Sequence, residues 1–290
     1  MTDAVDKAPR LLAMLEGDYL PTLRGRSLLK RGPELPGALL RAVRVPTWNW
    51  RYRAADWRDR WDTETVLLDA NAAYLSSAAS CRVSLNGLKH TGPLTEYNRC
   101  PGYYQLGVDP GAWQDMRLMS PLGQAVHRDM VWLAEPTVTL LSELVRVGDW
   151  PEFEIHDSWT DTAKVPLTRW TNELRDMRAI LIESGDRAGY DAFKVAYSQA
   201  IQMLRGDDKT IMRRADMNDA IRAQHNANIW RKAWNCVKAG HGPLESGRVD
   251  ALTFRKDDVM ALFSLMPPPI RLDQQGLTFG TFKIVPPDSE

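Results

Sequence analysis

Apolar positions recur along this chain with two periods, and the changes between them mark the elements. Val66-Leu67-Leu68 is a continuous apolar run that stops on Asp69. It predicts a short buried strand over 64–69, followed by a helix over 70–79. Further strands are predicted at 82–85, 103–108, 131–133 and 153–156, with Gly and Pro turns between them and a turn beginning at Asp157-Ser158-Trp159. Helical spacing runs through 137–147 behind Pro136. The most helical block follows. Residues 167–184 and 190–205 are both amphipathic, and Gly185-Asp186-Arg187-Ala188-Gly189 between them predicts an antiparallel hairpin. A long helix over 218–239 is stopped by Gly240-His241-Gly242-Pro243, and strands are predicted at 248–254 and 278–285. Before the first strong strand, 8–20 reads as a helix, and 24–46 as a looping segment with a helical turn at 38–43. Strands and helices mix without regular βαβ alternation, so the predicted class is α+β.

Composition narrows the picture. A chain of 290 residues makes one large domain or two small ones, and 44% hydrophobic residues suffice for a core. The 37 basic and 37 acidic residues cancel, but their distribution is uneven. Residues 24–60 carry ten Arg or Lys against three acids, and 205–238 carry eight against four. Such stretches suit a phosphate backbone, or are plain solvated surface. Trp48, Trp50, Trp57 and Trp61 lie among Arg51, Arg53, Arg58 and Arg60. That interleaving stacks bases, or packs Arg stems on indole faces as structure. Three cysteines without metal-ligand spacing fit a reducing compartment. The N-terminus lacks a signal-peptide layout and no run reaches the roughly 18 apolar residues of a membrane span, so a soluble cytoplasmic protein is expected. The five histidines form no metal spacing, and no P-loop, dinucleotide fingerprint or nucleophile elbow appears.

The chemistry begins at Asp69. A carboxylate ending a buried strand is held rigidly toward a cleft. Nucleotidyl transfer needs two such carboxylates at neighbouring strand ends to hold divalent ions, for which hard oxygen ligands suit Mg²⁺ or Mn²⁺. Asp250, which interrupts the apolar 248–254 strand, is the second candidate, 181 residues later. Cations over a triphosphate are offered by Arg175 and Arg178 on the first hairpin helix and Lys194 on the second. The plainer reading makes these solvent-facing helix residues paired locally with Glu173 and Asp176.

The run Asp69-Ala70-Asn71-Ala72-Ala73-Tyr74 resembles motif A of family B DNA polymerases, above all the protein-primed type. Asp69, Asn71 and Tyr74 stand in register, while Leu75 replaces the usual Pro. Lys194 in Phe193-Lys194-Val195-Ala196-Tyr197-Ser198 is similar to the motif B Lys, with the rest of that motif degenerate. Arg248-Val249-Asp250-Ala251 resembles motif C with its first Asp replaced by Arg248, and Gly280-Thr281-Phe282-Lys283 resembles the segment that follows. The resemblance covers roughly residues 62–285 in order. It implies a palm-like antiparallel sheet with packed helices and a helical-hairpin fingers insertion. It divides the chain into a basic N-terminal segment (1–61), a first palm part (62–166), fingers (167–206) and a second palm part (207–290). Asp69 and Asp250 would bind Mg²⁺ or Mn²⁺. Tyr74 would select the sugar, with Asn71 beside it, and Lys194, Arg178 and Arg175 would hold the triphosphate. No exonuclease or thumb is accommodated, so the expected activity is minimal DNA polymerisation or short nucleotide addition in phage or mobile-element replication. The partners would be nucleic acid, dNTP, and a protein primer or replication partner supplying a thumb-like grip. Arg248 and Ser198 keep an alternative open: a non-catalytic palm acting as a nucleic-acid-binding or replication accessory protein. A third reading, a tryptophan-rich interaction protein, would leave Asp69 and Asp250 far apart.

Overall fold

The structure is a computed structural model, and it describes residues 35–46, 50–52, 63–109, 111–123, 129–205, 214–248 and 250–285. The predicted 8–20 helix, and most of the Trp/Arg-rich stretch including Trp48, Trp57 and Trp61, lie outside these residues.

The site rests on a five-stranded sheet. Its second strand is β3 (Thr65–Ala70), the apolar run of the sequence, with the edge strand β12 (Phe282–Val285) on one side and β11 (Ala251–Arg255) on the other. β10 (Glu245–Arg248) and β2 (Trp50–Arg51) complete the order β12-β3-β11-β10-β2, with β3 antiparallel to both neighbours. A second five-stranded sheet has the order β1-β7-β6-β8-β5, from β1 (Val43–Arg44), β5 (Lys89–His90), β6 (Gly102–Gly107), β7 (Met130–Ala134) and β8 (Glu154–Thr160). A short pair joins β4 (Arg82–Ser84) to β9 (Lys164–Pro166). The segment before residue 62 therefore joins both sheets, through β1 and β2.

Among the described residues there are seven helices: α1 (Gly37–Ala42), α2 (Ala73–Ser80), α3 (Glu135–Val147), α4 (Thr168–Glu183), α5 (Arg187–Met203), α6 (Ala215–Lys238) and α7 (Lys256–Ser264). The α+β class is as the sequence pattern predicts. The central helix, α6, is buried along most of its length and packs against α2 and α3. One core joins both sheets to α3 and α6 and contains Leu68, Tyr104, Leu133, Leu141, Trp230 and Leu252. Trp113, Trp150, Trp230 and Trp234 form an aromatic cluster in it, with ring centroids from 5.0 to 6.4 Å apart. A second core lies among α2, α4, α5 and the start of α6.

Four elements depart from the sequence reading. The predicted 248–254 strand is a β-hairpin, with Asp250 in the tight turn between β10 and β11 and Arg248 opposite Ala251. β8 continues through the predicted turn at Asp157, because the Ser158 hydroxyl is satisfied by Thr91 and by the Gly92 carbonyl. α5 begins at Arg187, earlier than expected, because the Asp186 carboxylate accepts from Gly189 N at 2.9 Å and caps the helix. The last strand is short, since 271–281 is a loop held by Asp273, which accepts backbone N–H bonds from Gly276 and Thr278.

Candidate functional site

Sheet register brings the acidic residues together. Asp69 pairs with Ala251 across β11, and Ala70 N donates to the Asp250 carbonyl at 2.9 Å. In a regular strand, neighbouring side chains face opposite ways. The turn releases Asp250 from that alternation, so its carboxylate lies within electrostatic reach of Asp69. Burial first, and the Asp69 charge second, push the Asp250 carboxyl above its ordinary value, while Lys194 and Lys283 pull the other way. Lys283 faces Asp69 from β12, and its Nζ is 3.1 Å from Asp69 Oδ2.

Beside this acidic pair opens a cleft of about 260 Å³. α4 and α5 supply Arg178, Tyr190 and Lys194, the end of β3 supplies Asn71, β12 supplies Lys283, and the 271–281 loop supplies Gln274, Gln275 and Gly276. Lys194 is exposed at its rim. Arg178 is 3% exposed, and its guanidinium donates to the Gly276 carbonyl and, at 3.2 Å, to the Tyr190 hydroxyl. Asn71, 2% exposed, spends its amide N–H groups on the Asp273 carbonyl (2.9 Å) and Thr281 Oγ1 (3.0 Å). Asn71 therefore holds the loop in place while lining the cleft. Gly276 has φ +78°, and a Cβ there would come within 3.0 Å of Asn71 Oδ1 and 3.1 Å of Arg178 Nη2, so the close approach requires glycine.

The other predicted residues divide. Tyr74, on the first turn of α2, packs its ring against His225 at 5.1 Å, and burial raises its phenol above the ordinary value. Asp250 and Arg222 both act electrostatically on Tyr74, which places it near the acidic pair. Arg175 is the exception. It is exposed and pairs with Asp176 at 3.0 Å, and it does not line the cleft. It directly follows Leu174, and that one-residue step around the helix turns its side chain away from the buried face of Leu174 and Arg178 to solvent.

Several site residues were not singled out by the sequence reading. Lys283 falls within the Gly280-Thr281-Phe282-Lys283 segment, and a Lys one strand over from Asp69 is the signal for a cross-strand pair. Tyr190 and Tyr197 lie on the side of α5 that carries Lys194, at spacings of four and three. Tyr197 is buried, and its phenol is raised mainly by burial, with both Asp69 and Asp250 within electrostatic reach.

The donor set fits a hard divalent cation. Two carboxylates within electrostatic reach of each other stand near a cationic cleft, and Mg²⁺ characteristically takes one or two carboxylates plus substrate phosphates. Among the described residues no third acid, His or Cys completes a self-sufficient metal cage. No described helix is long and apolar enough to cross a membrane.

The fold is one already seen in solved structures of phi29 DNA polymerase. With the form complexed with primer-template DNA, the TM-score is 0.62 at 12% identity, over 97% of this chain and 51% of that chain. With the ternary complex holding primer-template DNA and incoming nucleotide substrates, it is 0.55 at 9% identity, over 97% and 52%. With the orthorhombic crystal form it is 0.57 at 10% identity, over 88% and 48%. The chain thus spans about half the length of these polymerases and has a polymerase-like fold. No protein-family profile matches it, and no curated protein does.

Proposed function

We propose that the chain is a metal-dependent nucleotidyltransferase, a minimal DNA polymerase or short nucleotide-adding enzyme acting on nucleic acid with dNTP substrates. The observation that carries this reading is the convergence of Asp69 and Asp250 at one end of the central sheet, beside a cleft lined by Lys194, Arg178 and Lys283. Asp69 and Asp250 would hold Mg²⁺ or Mn²⁺, which supplies activation of the attacking hydroxyl and neutralisation of the departing pyrophosphate. Lys194, exposed at the rim, would meet the triphosphate, with Lys283 behind it. Tyr74, wedged against His225 near the acidic pair, would form the floor beneath the sugar. The setting would be replication of a phage or mobile element, with a protein primer or grip-supplying protein as partner, and the resemblance to protein-primed polymerases is what suggests it. Primer extension, or transfer of a labelled nucleotide to the chain itself, with Mg²⁺ or Mn²⁺ tests this. Incorporation that is absent in wild type, or survives Asp69→Ala, overturns it.

A specific observation favours a second reading. Arg178 is already satisfied by the 271–281 loop and Tyr190, and Lys283 already neutralises Asp69. A cleft so filled from within suits a non-catalytic palm that binds nucleic acid. Calorimetry separates the two: Mg²⁺-dependent dNTP binding supports the enzyme, and DNA binding without it supports the accessory protein.

A further inference from the structure

A second hollow, of about 330 Å³, shares Asn71 with the hairpin cleft and lies between α2, α6 and the 271–281 loop. Its charge is one-sided. Arg231, Lys232, Arg271 and His225 line it, and no Asp or Glu does. Arg231 is matched by Glu143 at 2.6 Å. Lys232 is not matched by an acid: its ammonium donates to the Gly280 carbonyl and lies 4.8 Å from the Phe282 ring centroid. Arg271 has no carboxylate partner among the described residues and is the strongest charge acting on Lys232. Burial, with Arg271 second, pushes the Lys232 amine down to about 8. Two cations held together with no acid between them disfavour each other, and an anion would relieve both. The hollow also presents neutral donors. Ser76 Oγ would come within 3.3 Å of a Cβ at Gly280, so the hydroxyl stands at the loop's edge.

We propose that this hollow binds a phosphate group of a nucleic-acid strand through Lys232 and Arg271, with the Ser76 hydroxyl and the Asn228 amide as neutral donors. The phosphate chemistry stands on the hollow alone, and its assignment to a strand rests on the proposed function. Ala70 and Asn71 line the hollow and directly follow Asp69, so a strand with one phosphate here has a neighbouring unit within reach of the acidic pair.

The test is anisotropy of a labelled single-stranded oligonucleotide on the full chain in EDTA, with inorganic phosphate titrated separately. In EDTA no metal reaches Asp69 and Asp250, so failure of the transferase reading leaves this result untouched. Arg271→Gln, on an exposed side chain, and Lys232→Met are each expected to weaken oligonucleotide binding about tenfold, the effect of one charge-assisted contact. Each should also flatten the salt dependence by about 0.7 in log–log slope. Ser76→Asp supplies the missing acid. It is expected to raise Tm while lowering oligonucleotide affinity about tenfold, opposite signs that a purely structural role would not produce. Loss confined to free phosphate keeps the phosphate site and reassigns it to a small anion. Unchanged affinity for both ligands in folded Arg271→Gln and Ser76→Asp variants overturns the proposal.

Discussion

Asp69 and Asp250 carry charges that repel, and the fold tolerates this at one end of its central sheet. Asp250 has a folded-state pKa above its ordinary 3.8, from burial first and Asp69 second. A raised carboxyl pKa stabilises the fold below 3.8, and that contribution is lost as pH rises through the folded value. Above that value, ionised Asp250 is a net cost. Asp250→Asn removes the charge and keeps the shape. It should raise Tm at pH 7 by roughly 2–4 °C, the shift expected for about 1 kcal/mol, and the gain should vanish below pH 4. A gain that persists unchanged at low pH would show that charge is not its cause. Lys283 makes the opposite bargain with Asp69, neutralising it from the neighbouring strand at 3.1 Å. A dication on Asp69 must compete with that ammonium. Lys283→Met should therefore tighten Mn²⁺ binding several-fold by calorimetry in the absence of nucleotide. Weaker Mn²⁺ binding would instead make Lys283 a support of the metal geometry.

At the scale of elements, the 271–281 loop sets the shape of the hairpin cleft. Arg178 on α4 and Asn71 at the end of β3 both bond its backbone, and Gly276 fits between them only because it has no Cβ. Gly276→Ala meets both a positive φ and this crowding. It should cost about 1–3 kcal/mol and part α4 from the loop, read as a lower Tm with faster amide exchange in both segments. On the hairpin, Lys194 and Arg175 make a controlled pair. Lys194→Ala should weaken dNTP binding about tenfold, whereas Arg175→Ala, solvent-facing and off the cleft, should leave it within twofold. Equal effects would mean that the hairpin acts only through its summed charge. The hairpin and the strand carrying Asp69 were both legible in the sequence, because a helical period broken by glycine and an apolar run ended by an acid are local signals. The Asp250 turn was not. Arg248-Val249-Asp250-Ala251-Leu252 reads as one alternating strand, and only pairing with distant β3 turns it into a hairpin. The loop was opaque for the same reason, since its partners Asn71 and Arg178 lie 202 and 98 residues away.

Across the whole molecule, the acidic pair is a junction between distant parts of the chain. β3, the β10–β11 turn and β12 meet there, α6 packs behind them, and the pair's environment is fixed only when all are assembled. Which residues carry acid and base is legible locally, while their shared address requires the global fold. A cation bound between Asp69 and Asp250 would then stabilise the native state alone, because the unfolded chain separates its ligands by 181 residues. Coordination needs both carboxylates ionised, and burial with the Asp69 charge beside it works against ionising Asp250. The rise in Tm on adding Mn²⁺ should therefore be small at acid pH and grow as pH climbs through the raised Asp250 value. At Mn²⁺ about 100-fold above its Kd, the plateau should correspond to about 2.7 kcal/mol. Thermal scans across pH check this, with Asp69→Ala/Asp250→Ala beside wild type. A Tm response that is flat with pH, or undiminished in the double variant, would place the metal elsewhere and remove the ground for two-carboxylate chemistry at this sheet end.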